Sequence, residues 1–161
     1  MDDIATRRAI RVSGIDSALA ERIRTTLRDD FGNELHVQIT QDVRSNPCRH
    51  CLRLTNPGER LILFAHRPFT TTGPYAETGP IFIHADACEA YGETSVFPAD
   101  FQDRPWTVRA YDGAGNIVTG VVAQAGGAQA AIERQFEDPA VTFIHLRSPS
   151  WGCYDFQVER A

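Results

Sequence analysis

The chain has 161 residues, 42% hydrophobic and 23% charged, the proportions of a soluble globular protein and a length that fits one domain of about 100–200 residues. Its 16 basic and 21 acidic residues give a net charge of −5, which opposes a general attraction to nucleic acid or anionic lipid, where affinity comes from neutralising phosphates. All 16 basic residues are arginine, so Schiff-base, P-loop and general-base lysines are excluded, and a bound anion must be held by Arg forks, His or backbone N–H groups.

The N-terminal segment Met-Asp-Asp-Ile-Ala-Thr-Arg-Arg is acidic before it is basic and has no apolar stretch. It predicts no secretory signal and a cytoplasmic location. The longest apolar run, residues 61–65, falls far short of the roughly 20 residues a membrane span needs. Residues 5–15 carry the strand-like alternation Ile10, Val12. Asp16 or Ser17 then caps a helix on which Leu19, Ile23, Leu27 and Phe31 recur every four residues, with Gly32 at the C-terminal cap position. Residues 35–43 alternate at Leu35, Val37 and Ile39 and predict a strand. Asn46-Pro47 and Asn56-Pro57-Gly58 bracket a short cysteine segment, and residues 60–66 enclose an apolar strand.

Residues 67–80 hold three prolines and two glycines without periodicity, a long loop of the kind that binds ligands or closes over them. Residues 81–84 predict a short buried strand, and Asp86 a cap for a short helix over 87–91. Residues 92–105 are irregular. Residues 106–111 and 117–122 flank Asp-Gly-Ala-Gly-Asn as a hairpin with a five-residue turn. Ala128, Ile132 and Phe136 mark a second helix that Pro139 stops, and residues 141–147 and 154–159 close the chain as strands. Strands joined by turns and loops, not alternating with helices, predict a single α+β domain with a mostly antiparallel sheet of about seven strands and two main helices.

Four cysteines stand out: Cys48, Cys51, Cys88 and Cys153. In a reducing compartment they read as metal ligands, reactive thiols or small buried hydrophobes before disulfides. Cys48-Arg49-His50-Cys51 presents two sulfurs from one turn, and His84 and Cys88, four residues apart, supply the remaining pair. Three thiolates and one imidazole would make a closed structural zinc site. A thiol redox pair is the competing reading, but only residues 52–55 follow Cys51 before Asn-Pro-Gly, too few for the long helix of a thioredoxin-like site.

Three apolar runs end in His66, His84 and His145, with Arg67 and Arg147 close behind. Convergence of these ends would build a metal site or a pocket for a small anionic molecule; strand ends are also ordinary places for semi-polar residues. Arg109 shares a strand face with Thr107 and Tyr111. The ligand-binding candidates are Arg67, Tyr75, His84, Arg109 and Arg147. A buried arginine there would otherwise need a carboxylate, with Asp86, Glu89 and Asp112 as candidates. Gly126-Gly127 before the second helix gives a weak anion-site signal. Cys153 and His145 would face each other only if the turn between them folds back as a hairpin.

The segments Pro-Cys-Arg-His-Cys-Leu (47–52), Gly-Glu-Arg-Leu-Ile-Leu (58–63), Arg-Pro-Phe (67–69) and Pro-Tyr-Ala-Glu-Thr-Gly-Pro-Ile-Phe-Ile-His (74–84) occur in this order. Cys88, Phe-Ile-His-Leu-Arg-Ser and Gly-Cys-Tyr-Asp-Phe follow. Together they resemble a bacterial family catalogued as domain of unknown function 1203. The resemblance implies a small single-domain bacterial protein, carries no catalytic role, and directs attention to Cys48, Cys51, Tyr75, His84 and Cys88. Two functions follow as expectations: a pocket that binds a small anion and would turn it over if it is an enzyme, or a zinc-stapled structural or interaction module.

Overall fold

The computed structural model describes residues 8–161. Its strands are β1 (Ile10–Ser13), β2 (Val37–Ile39), β3 (Ser45–Pro47), β4 (Leu54–Thr55), β5 (Arg60–His66), β6 (Gly79–His84), β7 (Trp106–Tyr111), β8 (Ile117–Ala123), β9 (Phe143–Arg147) and β10 (Tyr154–Arg160). Helix α1 spans Ser17–Thr26 and α2 spans Ala128–Gln135. The expected mostly antiparallel α+β arrangement holds. The strands number ten among the described residues, in place of about seven, and form three sheets: β1-β10-β9-β7-β8, β2-β5-β6 and β3-β4. The short β3–β4 ladder brackets the cysteine turn, where its two-residue arm left no periodicity to read. Residues 1–7, which include the start of the strand predicted over 5–15, lie outside the described residues. No helix among the described residues is long and apolar enough to cross a membrane.

The five-stranded sheet has two unlike faces because side chains alternate along each strand. Val12, Val108, Ile144, Leu146, Phe156 and Val158 are buried on one face, against Ile132 and Phe136 from helix α2 and its C-terminal cap. Each such side chain contributes roughly 1.5–3 kcal/mol by leaving water. The opposite face is polar. Arg109 pairs with His145, and His145 with Gln157; Thr107 pairs with Arg147. The connection between β5 and β6 crosses this polar face, and Phe69 sets its ring 4.9 Å from His145 and 5.3 Å from Tyr111.

A second core joins helix α1, the β2-β5-β6 sheet and the cysteine turn, through Ile15, Ala20, Ile23, Cys48, Phe64, Ile81 and Ile83. The Asp16 carboxylate accepts the N–H groups of Ala18 and Leu19 and so starts α1 as expected. The helix stops earlier than its periodicity suggested. Leu27 turns left-handed at φ 49°, and Asp29 accepts the N–H groups of Phe31, Asn33 and Ala65. This side-chain competition for backbone donors ends the helix before Phe31, which is exposed, and before Gly32.

The predicted helix over 87–91 is absent: residues 85–91 are irregular. Asp86 pairs with Arg60 at 2.7 Å instead of capping, and the Tyr91 N–H reaches the His50 carbonyl at 3.1 Å. These contacts fold the segment back over the cysteine turn.

Candidate metal centre

The cysteine turn is built by backbone bonds. Cys48 N–H donates to the Arg53 carbonyl, Leu52 N–H returns to the Cys48 carbonyl, and Leu52 adopts φ 55°. Arg49 N–H donates to the Phe82 carbonyl at 3.0 Å, which seats the turn beside β6. Strand β6 ends at His84, and the folded-back segment brings in Cys88. One donor atom each from Cys48, Cys51, His84 and Cys88 then lies within 4.8 Å of every other, near enough to bind one metal ion. The Cys48 and Cys88 sulfurs are 3.9 Å apart, and Cys51 Sγ is 3.5 Å from His84 Nδ1. All four cysteines are free thiols.

The surrounding groups stabilise negative sulfur. Arg24, on helix α1, donates from Nη2 to Cys88 Sγ at 3.1 Å and from Nε to the His84 carbonyl at 2.9 Å. His84 N–H points to Cys48 Sγ at 3.3 Å. His50 Nδ1 lies 3.2 Å from Cys88 Sγ, and its Nε2 lies 2.9 Å from Ser17 Oγ. With its ring proton on Nδ1, His50 donates to Cys88 Sγ and accepts at Nε2 from the Ser17 hydroxyl. On the far side of His84, Nε2 is 3.5 Å from Glu59 Oε1, an ion-pair separation without hydrogen-bond geometry. Hydrogen bonds from Cys51 and then Cys88 hold the Cys48 thiol far below its ordinary range, while those same shared protons push Cys51 up. Hydrogen bonds to the Cys48 and then the Cys88 sulfur push the His84 imidazole up to about 10.

Arg49 anchors the turn from inside. It is buried, donates to the carbonyls of Tyr154 and Pro47, and faces the buried carboxylate of Asp155 at 3.4 Å. This ties the turn to the start of β10. The sequence offered no signal for Arg24 or Asp155, because each is far along the chain from its partner. The positions of Arg49 and His50 between the cysteines were the only hint for those two.

The anion-site candidates separate in space. Antiparallel pairing sets Leu61 opposite His84 and His66 opposite Gly79, so His66 and His84 sit at opposite ends of the β5–β6 pair. His84 belongs to the Cys48–Cys51–Cys88 cluster. His66 and His145 instead flank Tyr154, with ring centroids 6.1 and 4.8 Å from it. Arg109 and Arg147 converge on one carboxylate, Glu77, at 3.3 and 3.2 Å. Glu77 therefore takes the place expected of Asp86, Glu89 or Asp112. Arg67 is exposed and, among the described residues, donates only to the Thr71 carbonyl; Tyr75 is exposed in the same loop. Cys153 Sγ approaches the Trp151 carbonyl at 3.8 Å, and it has no hydrogen bond to His145 among the described residues. Gly127 precedes α2 without a side-chain cap.

A family model described as Protein of unknown function (DUF1203) matches residues 45–160, a span that holds all four candidate ligands. No curated protein and no solved structure matches the chain.

Proposed function

The chain belongs to the family described as Protein of unknown function (DUF1203), and we propose that it is a zinc-stapled structural or interaction domain whose ion is held by Cys48, Cys51, His84 and Cys88. The observation that carries this reading is the meeting of three sulfurs and one imidazole nitrogen from two distant parts of the chain. With Zn–S of about 2.3 Å and Zn–N of about 2.0 Å, a tetrahedral site has S···S edges of about 3.8 Å and S···N edges of about 3.5 Å. The 3.9 Å Cys48–Cys88 and 3.5 Å Cys51–His84 separations match those edges. Thiolate and imidazole donors favour zinc over hard cations.

Charge supports the same assignment. Three thiolates around a divalent ion leave one negative charge, and Arg24 lies against the Cys88 sulfur to offset it. Four protein ligands close the coordination sphere, which suits a structural role better than hydrolysis at an open position. Cys48 is fully buried, and thiol–disulfide exchange needs an accessible attacking sulfur, so the burial favours metal binding over redox chemistry.

Elemental analysis of protein purified under reducing conditions, with thiols counted on the same sample, tests the reading. About one zinc per chain, with thiols masked until a chelator is added, is the expected result. Four freely titrating thiols and no metal would overturn it.

A further inference from the structure

His84 reaches the cysteine cluster twice. Its backbone N–H points to Cys48 Sγ at 3.3 Å, and its ring Nδ1 lies 3.5 Å from Cys51 Sγ. Arg24 Nε holds its carbonyl at 2.9 Å. The other ring nitrogen, Nε2, is buried and makes no hydrogen bond among the described residues. The Glu59 carboxylate stands against it, with Oε1 3.5 Å away. Glu59 is fixed there by its own turn. Its Oε2 accepts the Asn56 N–H, its N–H donates to the Asn56 carbonyl at 3.1 Å, and its carbonyl accepts the Thr40 N–H at 3.0 Å. One carboxylate oxygen is therefore committed to the turn, and the other is left for His84.

An imidazole that binds a metal gives it the lone pair of one nitrogen and keeps its proton on the other. A lone pair on Nε2 would face the negative oxygen of Glu59 and be repelled. A proton there is attracted to it, and this Coulomb attraction does not need ideal hydrogen-bond alignment. Glu59 thus favours the proton on Nε2, which leaves the free lone pair on Nδ1, the nitrogen beside Cys51. We infer, on the zinc reading above, that His84 binds the ion through Nδ1 and that Glu59 is a positioning residue that holds the Nε2 proton and so presents that lone pair. A carboxylate behind a ligating imidazole fixes the ring and makes it more basic, and loss of such a partner typically weakens metal binding 10–100-fold. The arrangement also gives a role to a buried polar atom otherwise left without a partner.

The test loads the full chain, its histidines labelled with nitrogen-15, with cadmium-113 in place of zinc. Coupling between cadmium and nitrogen reads the ligating atom, and long-range proton–nitrogen correlations read where the ring proton sits. The expected result is coupling to His84 Nδ1 with the proton on Nε2. Glu59→Gln deletes the charge and keeps an oxygen for the Asn56 N–H, so a role in the turn alone would survive it. This variant should bind zinc about tenfold more weakly in a chelator competition, and its Nε2 proton resonance should move upfield. Coupling to Nε2 in the native chain would overturn the assignment of the ligating atom. A Glu59→Gln chain that matches the native one in either affinity or resonance would remove Glu59 from the account. The coupling is read on the native chain, so it decides the ligating atom even if the variant fails to fold. Uptake of neither zinc nor cadmium would overturn the zinc reading and this inference together, whereas coupling to Nε2 in a fully loaded chain would overturn this inference alone.

Discussion

Gly14 lies so close to the cysteine turn that a Cβ on it would stand 2.4 Å from the Arg49 carbonyl oxygen and 2.9 Å from that of His50. The next residue, Ile15, donates its N–H to the same Arg49 carbonyl at 2.8 Å. The link between β1 and α1 therefore rests directly on the backbone between Cys48 and Cys51, which cannot yield without moving both sulfurs. Gly14→Ala should destabilise the fold by about 1–3 kcal/mol, as overpacking does, and should weaken metal retention with it. Urea unfolding with zinc present checks this; an unchanged midpoint would show that the turn has room to shift.

Arg24→Gln removes the donor on Cys88 Sγ and the offsetting charge while keeping much of the side chain. Groups that orient metal ligands typically matter by 10–100-fold in affinity, and a loss in that range is expected in a chelator competition. Equal affinity in the variant and the native chain would show that the contact is incidental.

Removal of the metal should lower Tm and make it depend on added zinc, because ligand binding to the folded state alone stabilises by mass action. Cys153→Ser should leave zinc content unchanged, since Cys153 is not among the four donors. Zinc loss in Cys153→Ser would contradict the assigned ligand set.

Acid should destabilise the fold through histidine burial. Desolvation pushes His145 down to about 3 and His66 down to about 4, below the roughly 6.5 of unfolded histidine. Between those values the unfolded chain binds more protons, so this stability is present above about pH 6.5 and is lost as pH falls. Asp155 acts in the opposite sense: burial raises its carboxyl to about 6, and its contribution declines as pH rises from about 4 to 6. The lowered imidazoles outweigh the one raised carboxyl, so stability falls as pH drops from about 6 to 4. His145→Gln should flatten that slope relative to the native chain. Parallel urea unfolding series at several pH values provide the comparison, and identical slopes would remove His145 from the account.

Local pattern made several elements legible. Strand β5, the β7–β8 hairpin with its five-residue turn, and helix α2 lie where alternation, turn residues and spacing put them. Helix α1 was legible at its start, where Asp16 acts on its own neighbours, and illegible at its end. The four-residue period runs on to Phe31, but Asp29 takes up backbone donors from Ala65 on another strand, a partner no local window contains. The cysteine centre was readable as a set of residue types at two spacings. The supposed helical turn at Cys88 was not its cause; the return of residues 85–91 over His50 was.

By itself, the sequence determined which chemistry is available: three thiols and an imidazole in two short motifs, arginine as the sole fixed cation, and a long loop after an apolar strand. Tertiary structure alone decided the assignments. It sent His84 to the cysteine cluster and His66 to the other end of the same strand pair, because antiparallel partners place their ends at opposite edges. It joined Arg109 and Arg147 to Glu77, and Arg24 to Cys88, because Coulomb attraction and hydrogen bonding act through space, and only the packed sheets and loops set those distances.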